Sequence, residues 1–166
     1  GVACFCVPAA SWVFNVTPGG AAPWGGVDFA DGTAVHINAG AAGLALAIVL
    51  GKRVGFAKGA HKPHNPPFVL LGAAILWFGW FGFNAGSEGA ADGIASIAWV
   101  NTLAAPAAAI LGWLLVEKLT DGKATSIGAA SGAVTGLVAI TPACVALTPG
   151  WGILLGFIAG IICCFA

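Results

Sequence analysis

The chain has 166 residues, of which 59% are hydrophobic and only 7% charged, against roughly 45–50% and 25% in an ordinary soluble domain. Six Lys and Arg balance six Asp and Glu, so the formal net charge is zero. Too few polar side chains remain to coat a water-exposed surface, which excludes a soluble globular domain and leaves a membrane protein.

Residues 1–14 begin inside an apolar run without an initiator Met. They carry no basic leader, and Pro8 and Trp12 suit the end of a truncated spanning helix better than a signal-peptide core. Apolar runs near the roughly 20 residues that a bilayer core requires then follow at 33–51, 67–86, 93–116, 124–140 and 150–166. Membrane strands would be about half that length and alternate in polarity. The predicted fold is therefore all-α, a polytopic membrane helix bundle with five spanning helices and the truncated N-terminal one. With no initiator Met, the chain reads as a fragment of a longer protein.

Charge follows the loops. Lys52, Arg53, Lys58 and Lys62 fall in loop 52–66, and Lys118 and Lys123 in loop 117–123. Two spans separate these loops, so an up-and-down path brings both to one face, which its Lys and Arg mark as cytoplasmic. The opposite loops hold Asp28, Asp31, Glu88 and Asp92 and no cation. A multi-pass protein of the cell membrane is expected, and no basic surface suggests a nucleic-acid partner.

Within the spans, Gly128, Gly132 and Gly136 recur every four residues, as do Gly152, Gly156 and Gly160. Such rows let helix backbones approach in lipid; they serve either as plain packing or as the tight surround of a narrow path. Pro106 inside the 93–116 run should bend that helix, with neighbouring groups satisfying the carbonyl it frees.

His36, in GTAVHINAG, is the one ionisable side chain deep in an apolar run. An imidazole out of water calls for a partner and usually faces a protein interior or a wet path. Because it sits about a turn from the start of its span, an interfacial anchor is the alternative. Asp28, eight residues earlier, either favours a nearby cation or simply caps the turn, and Asp31 is the better placed for a plain cap. The segment LWFGWFGFNAGS (76–87) reads as an aromatic belt. Phe83 and Ser87 nevertheless share a helix face, so a ring and a hydroxyl could together attract a small cation. Five cysteines lie mostly in apolar runs, and Cys4-x-Cys6 has no accompanying metal-ligand cluster. No phosphate loop, paired intramembrane carboxylates or nucleophile-base pair is present. The sequence argues against an enzyme and calls for no cofactor or metal.

The segments DFADGTAVHINAG, GKRVGF, KPHN, GWFGFNAGS, VNT and GAASGAVTGLVAITPAC, in this order and spacing, resemble the ammonium transporter family of the Amt, Mep and Rh superfamily. Bacterial Amt members are the most similar, and the GWFGFNAGS wording favours them over Rh-type gas channels. The resemblance implies that His36 is one of two histidines paired along a hydrophobic pore, the second lying on a later helix that this sequence does not reach. It implies that Phe83 is one of two stacked rings at the pore mouth and that Ser87 and Trp80 belong to the outer ammonium-recruitment site. Asp28 would support the geometry of that site. Where the family commonly has PVAHWVW, this chain has PAASWVF, which puts Phe14 in place of a cation-binding tryptophan. The implied activity is transport of ammonium across the plasma membrane, with methylammonium as an analogue: recruitment outside, deprotonation, and passage of ammonia. A homotrimer and a PII-type regulator on the cytoplasmic face are further implications. The rival readings are an ammonium sensor with an appended signalling domain and a truncated fragment that inserts without conducting.

Overall fold

The computed structural model describes residues 27–56 and 62–166, and among these residues all regular structure is helical. Helix α1 (Thr33–Leu50) opens with a π-helical turn, Thr33–Ile37, and continues as regular α-helix from Asn38. Helix α2 (Pro66–Ala85) ends in a 3₁₀ turn, Gly86–Glu88. Helix α3 spans Gly93–Thr120. Helix α4 (Ser126–Ile140) runs into a 3₁₀ turn, Thr141–Ala143, and α5 covers Pro149–Phe165.

The local chemistry of the starts is explicit. Asn65 caps α2 by accepting from Phe68 N at 3.2 Å, with proline in the first turn where no amide is missed. Asp92 caps α3 through Ile94 N and Ala95 N, at 2.9 and 3.0 Å. Thr125 caps α4 by accepting from Gly128 N at 2.9 Å. Its own N–H donates to Glu117 Oε2 at 2.8 Å, and its hydroxyl donates to the same carboxylate. Helix α3 therefore continues to Thr120, a turn beyond the end read from hydropathy. Glu117 and Lys118 lie on that last turn and not in a loop. Lys118 Nζ donates to Gly122 O at 2.9 Å, where a cation meets the negative end of the helix.

Four helical segments are long and apolar enough to cross a membrane: Thr33–Leu50, Pro66–Glu88, Gly93–Thr120 and Ser126–Ala143. Helix α5, read as a fifth span, has 17 residues and lies at the short limit of the usual range of about 17–25.

Packing centres on α3. Glycines of α4 and α5 face it: a Cβ at Gly136 would stand 2.5 Å from Pro106 Cα, one at Gly132 would stand 2.9 Å from Ile110 Cα, and those at Gly156 and Gly160 would overlap the carbonyls of Ala105 and Ala109. These four glycines thus serve helix packing, backbone against backbone with no room for a methyl group, while Gly128 and Gly152 at the row ends face the side chains of Glu117 and Asn101. Pro106 removes the amide that would bond Thr102 O, and Trp77 Nε1–H of α2 donates to that carbonyl at 3.0 Å. Beyond its π turn, α1 buries none of its residues against the described chain.

Gly156→Ala should lower the thermal unfolding midpoint of the detergent-solubilised protein, by an amount equivalent to about 1–3 kcal/mol of overpacking. Gly150→Ala, whose added methyl meets nothing within 4 Å, should leave that midpoint unchanged. Equal midpoints for the two variants would contradict the close approach of α5 to α3.

Candidate functional site

His36 lies within the π turn, Thr33–Ile37. The widened coil leaves the Ala34 carbonyl without a standard helical amide, and the Asn38 carboxamide donates to that carbonyl. One step earlier, Asp28 Oδ2 accepts from Ala34 N at 3.1 Å. Asp31, the better cap candidate by position, makes no side-chain hydrogen bond among the described residues. Its backbone adopts φ 55°, a left-handed conformation that aspartate tolerates better than most residues, and its carbonyl accepts from Val35 N at 2.9 Å. The cap is therefore Asp28, with Asp31 as the corner of the turn.

His36 stands at the centre of a three-ring cluster. Its ring centroid is 5.3 Å from that of Trp80 and 5.9 Å from that of Phe83, and Trp80 and Phe83 are 5.7 Å apart. Together with Ile75, Leu76 and Gly79, these side chains line an open cavity of about 490 Å³ whose wall is almost wholly apolar. His36 Nε2 is buried and has no hydrogen-bond partner among the described residues. A buried imidazole nitrogen is costly to leave unpaired, and it belongs to a residue that lines this cavity.

Ser87 lies one turn past Phe83, exposed at the end of α2. Its hydroxyl donates to Phe83 O at 2.7 Å. With that proton committed, the oxygen's remaining lone pairs are presented as acceptors for a cationic donor. Trp80, read from the sequence as part of the same recruitment site as Ser87, lies two turns deeper and lines the cavity with His36. Phe14 falls outside the described residues. The segment 76–87 is not a simple interfacial belt: the indole N–H groups of Trp77 and Trp80 both turn inward, to Thr102 O and to Thr141 Oγ1, while Phe81 stacks on Trp99 at 4.1 Å.

Sequence reading missed a buried polar layer beside the cavity. Asn84, Asn101, Thr102 and Thr141 are fully buried. Asn84 Nδ2 donates to Thr102 Oγ1 at 2.9 Å, and Thr102 Oγ1 donates to Ala98 O at 2.6 Å. Asn101 Nδ2 reaches the carbonyls of Cys144 and Leu147, both at 2.8 Å. The available signal was the presence of these residues in VNT, GFNAGS and ITPAC, polar letters inside apolar runs. Among the described residues, no three His, Cys, Asp or Glu side chains are grouped to hold a metal ion.

A sequence model of the Ammonium Transporter Family matches residues 2–166. The chain is 56% identical to a protein of Mycobacterium bovis named ammonium transporter, over 96% of this chain and 35% of that one. It is 51% identical to the ammonium transporter of Bacillus subtilis, over 94% of this chain and 38% of the relative. Among solved structures it is similar to Mep2 from Candida albicans, with TM-score 0.83 and 34% identity over 98% of this chain and 37% of the other. It is also similar to a structure titled Sensor Amt Protein, with TM-score 0.86 and 30% identity over 97% of this chain and 42% of the other. The chain thus spans little more than a third of the length of the curated relatives it matches.

Removing the Asp28 cap by Asp28→Ala should cost about 0.5–2 kcal/mol in stability, read by thermal unfolding. Asp31 behaves differently. Partial burial first, and the Asp28 carboxylate second, hold its pKa above the ordinary carboxylate range. A folded-state pKa above the unfolded one means that ionising the group opposes folding, so its favourable contribution is present in acid and lost as pH rises through the folded pKa. Asp31→Asn should therefore stabilise at neutral pH, with the gain shrinking to nothing on acidification. A gain that persists unchanged in acid would point to turn geometry alone.

Proposed function

This chain belongs to the ammonium transporter family, and from that premise we propose that it forms the outer recruitment surface and the first histidine of a path for ammonium and ammonia across the plasma membrane. The observation that carries the proposal is His36, which lines an apolar cavity with Trp80 and Phe83 and whose buried Nε2 has no partner among the described residues. Ammonium would be met at the mouth by the acceptor oxygen of Ser87 and the face of Phe83, a lone pair and a ring quadrupole both suited to a small cation. Phe14 would add a second, weaker aromatic face than the tryptophan common in the family. A bare ion is too costly in the apolar cavity beyond, so it would give up its proton, and neutral ammonia would pass His36 with Trp80 as its neighbour. Asp28 holds the π turn that aims the imidazole and so acts by positioning it.

In this reading the chain is a partial transporter domain, with spans at 33–51, 67–86, 93–116, 124–140 and 150–166. The second pore histidine and the second mouth ring would be carried on helices beyond the present sequence. A homotrimer, segments 52–66 and 117–123 on the cytoplasmic side, and a PII-type regulator binding there complete the proposal. The protein would be a transporter and not an enzyme. A second reading, an ammonium sensor, is favoured by the similarity to the structure titled Sensor Amt Protein. A signalling domain continuous with α5 in the complete reading frame would distinguish it.

In the complete gene product, His36→Ala should reduce methylammonium uptake by about tenfold or more, and Ser87→Ala should raise the half-saturating concentration with a smaller effect on the maximal rate. Unchanged uptake and selectivity after loss of His36 would remove the imidazole from the mechanism. The 166-residue chain reconstituted alone should carry no methylammonium.

A further inference from the structure

The indole of Trp80 is held from behind by a single hydroxyl. Trp80 Nε1–H donates to Thr141 Oγ1 at 2.8 Å, and the same hydroxyl donates its proton to Leu137 O at 2.7 Å. A threonine hydroxyl has one proton and two lone pairs; with the proton taken by α4, the oxygen faces Trp80 purely as an acceptor. Thr141 is fully buried, so its oxygen has no water to take the place of the indole.

Thr141 is itself pinned on its remaining sides. A Cβ on Gly32 would stand 2.5 Å from Thr141 Cγ2 and 2.9 Å from Pro142 Cδ, so the backbone entering the π turn lies directly on this corner. Phe29 N–H donates to Pro142 O at 3.0 Å. Asn101 ties the residues just beyond, through the carbonyls of Cys144 and Leu147, to α3. The corner at 141–142 therefore touches both walls of the cavity: the chain leading to His36 four residues after Gly32, and the ring that lies 5.3 Å from His36.

We propose that Thr141 is a positioning residue whose hydroxyl oxygen anchors the Trp80 indole beside His36, so that the end of α4 sets the ring geometry past which a small neutral amine moves. The inference rests on the proposed passage of ammonia past His36. It assigns to a residue that lines no part of the cavity the control of one that does. Val in place of Thr keeps the branched shape against Gly32 and removes the acceptor. Ser keeps the acceptor and removes the methyl.

The test uses the complete gene product with two readouts. In ultraviolet resonance Raman, subtracting the Trp80→Phe spectrum isolates the Trp80 indole, whose N–H marker should move to the unbonded position in Thr141→Val and stay in place in Thr141→Ser. Methylammonium uptake at equal membrane abundance should fall about tenfold in Thr141→Val, as expected for losing a hydrogen bond to a buried acceptor, and stay within about twofold in Thr141→Ser. In a Trp80→Phe background the Thr141→Val change should add no further loss, which a general packing defect would not reproduce. If Thr141→Val does not insert, Thr141→Ala takes its place with the same expectations. A bonded Trp80 marker in the valine variant, full uptake with an unbonded marker, or additive losses would each overturn the proposal. A wild-type protein that carries no methylammonium would instead sink the transport reading, while the Raman comparison would still decide whether Thr141 holds the indole.

Discussion

Backbone contact between α3 and the glycines of α4 and α5 is the constraint from which the rest of the structure follows. In lipid, helices gain little by burying apolar surface against one another, and dispersion at close range takes over. With Gly132 and Gly136 of α4 and Gly156 and Gly160 of α5 all set against α3 around Ala105 and Ala109, the three axes are fixed at separations that admit no side chain. Once those axes are set, the end of α4 arrives beside α2, and the loop before α1 is laid across it. The cavity lined by His36, Trp80 and Phe83 is thus framed by packing outside it, to which Trp80 is tied through Thr141.

A second requirement is imposed by the absence of water. Every polar group carried into the bundle must find its partner in the protein. Most do: Asn84 with Thr102, Asn101 with two carbonyls of the 144–147 segment, Trp77 and Trp80 through their indole nitrogens. The buried atoms left without a partner in the described chain are Asp28 Oδ1, His36 Nε2, Asn84 Oδ1 and Asn101 Oδ1. Of these, His36 Nε2 belongs to a residue on the cavity wall, which separates it from the others and connects the packing to the proposed chemistry.

Much of the architecture could be read from the letters because hydropathy and charge act on whole segments. Runs of apolar residues between charged loops leave little choice but helices, and the family motifs carried His36, Phe83 and Ser87 with them. What escaped reading depends on single atoms. Glu117 looked like a loop residue because hydropathy registers its charge and not its role in bonding Thr125. Asp31 looked like the cap until its left-handed backbone left that task to Asp28. Thr141 and Asn101 are ordinary letters in apolar runs, and no periodicity shows which carbonyl on another helix each will reach. His36 meets Trp80 from within the π turn, and an extra residue in one helical coil leaves no compositional trace.

The repair of α3 at Pro106 makes two residues on different helices unequal partners. A carbonyl oxygen has two lone pairs, so Thr102 O could serve both a regular helical amide and the Trp77 indole at once. With any other residue at 106 the indole would still be satisfied. With Pro106 but no indole, the carbonyl would be stranded in a medium with nothing to offer it. The dependence therefore runs one way: the proline requires the tryptophan, and the tryptophan does not require the proline.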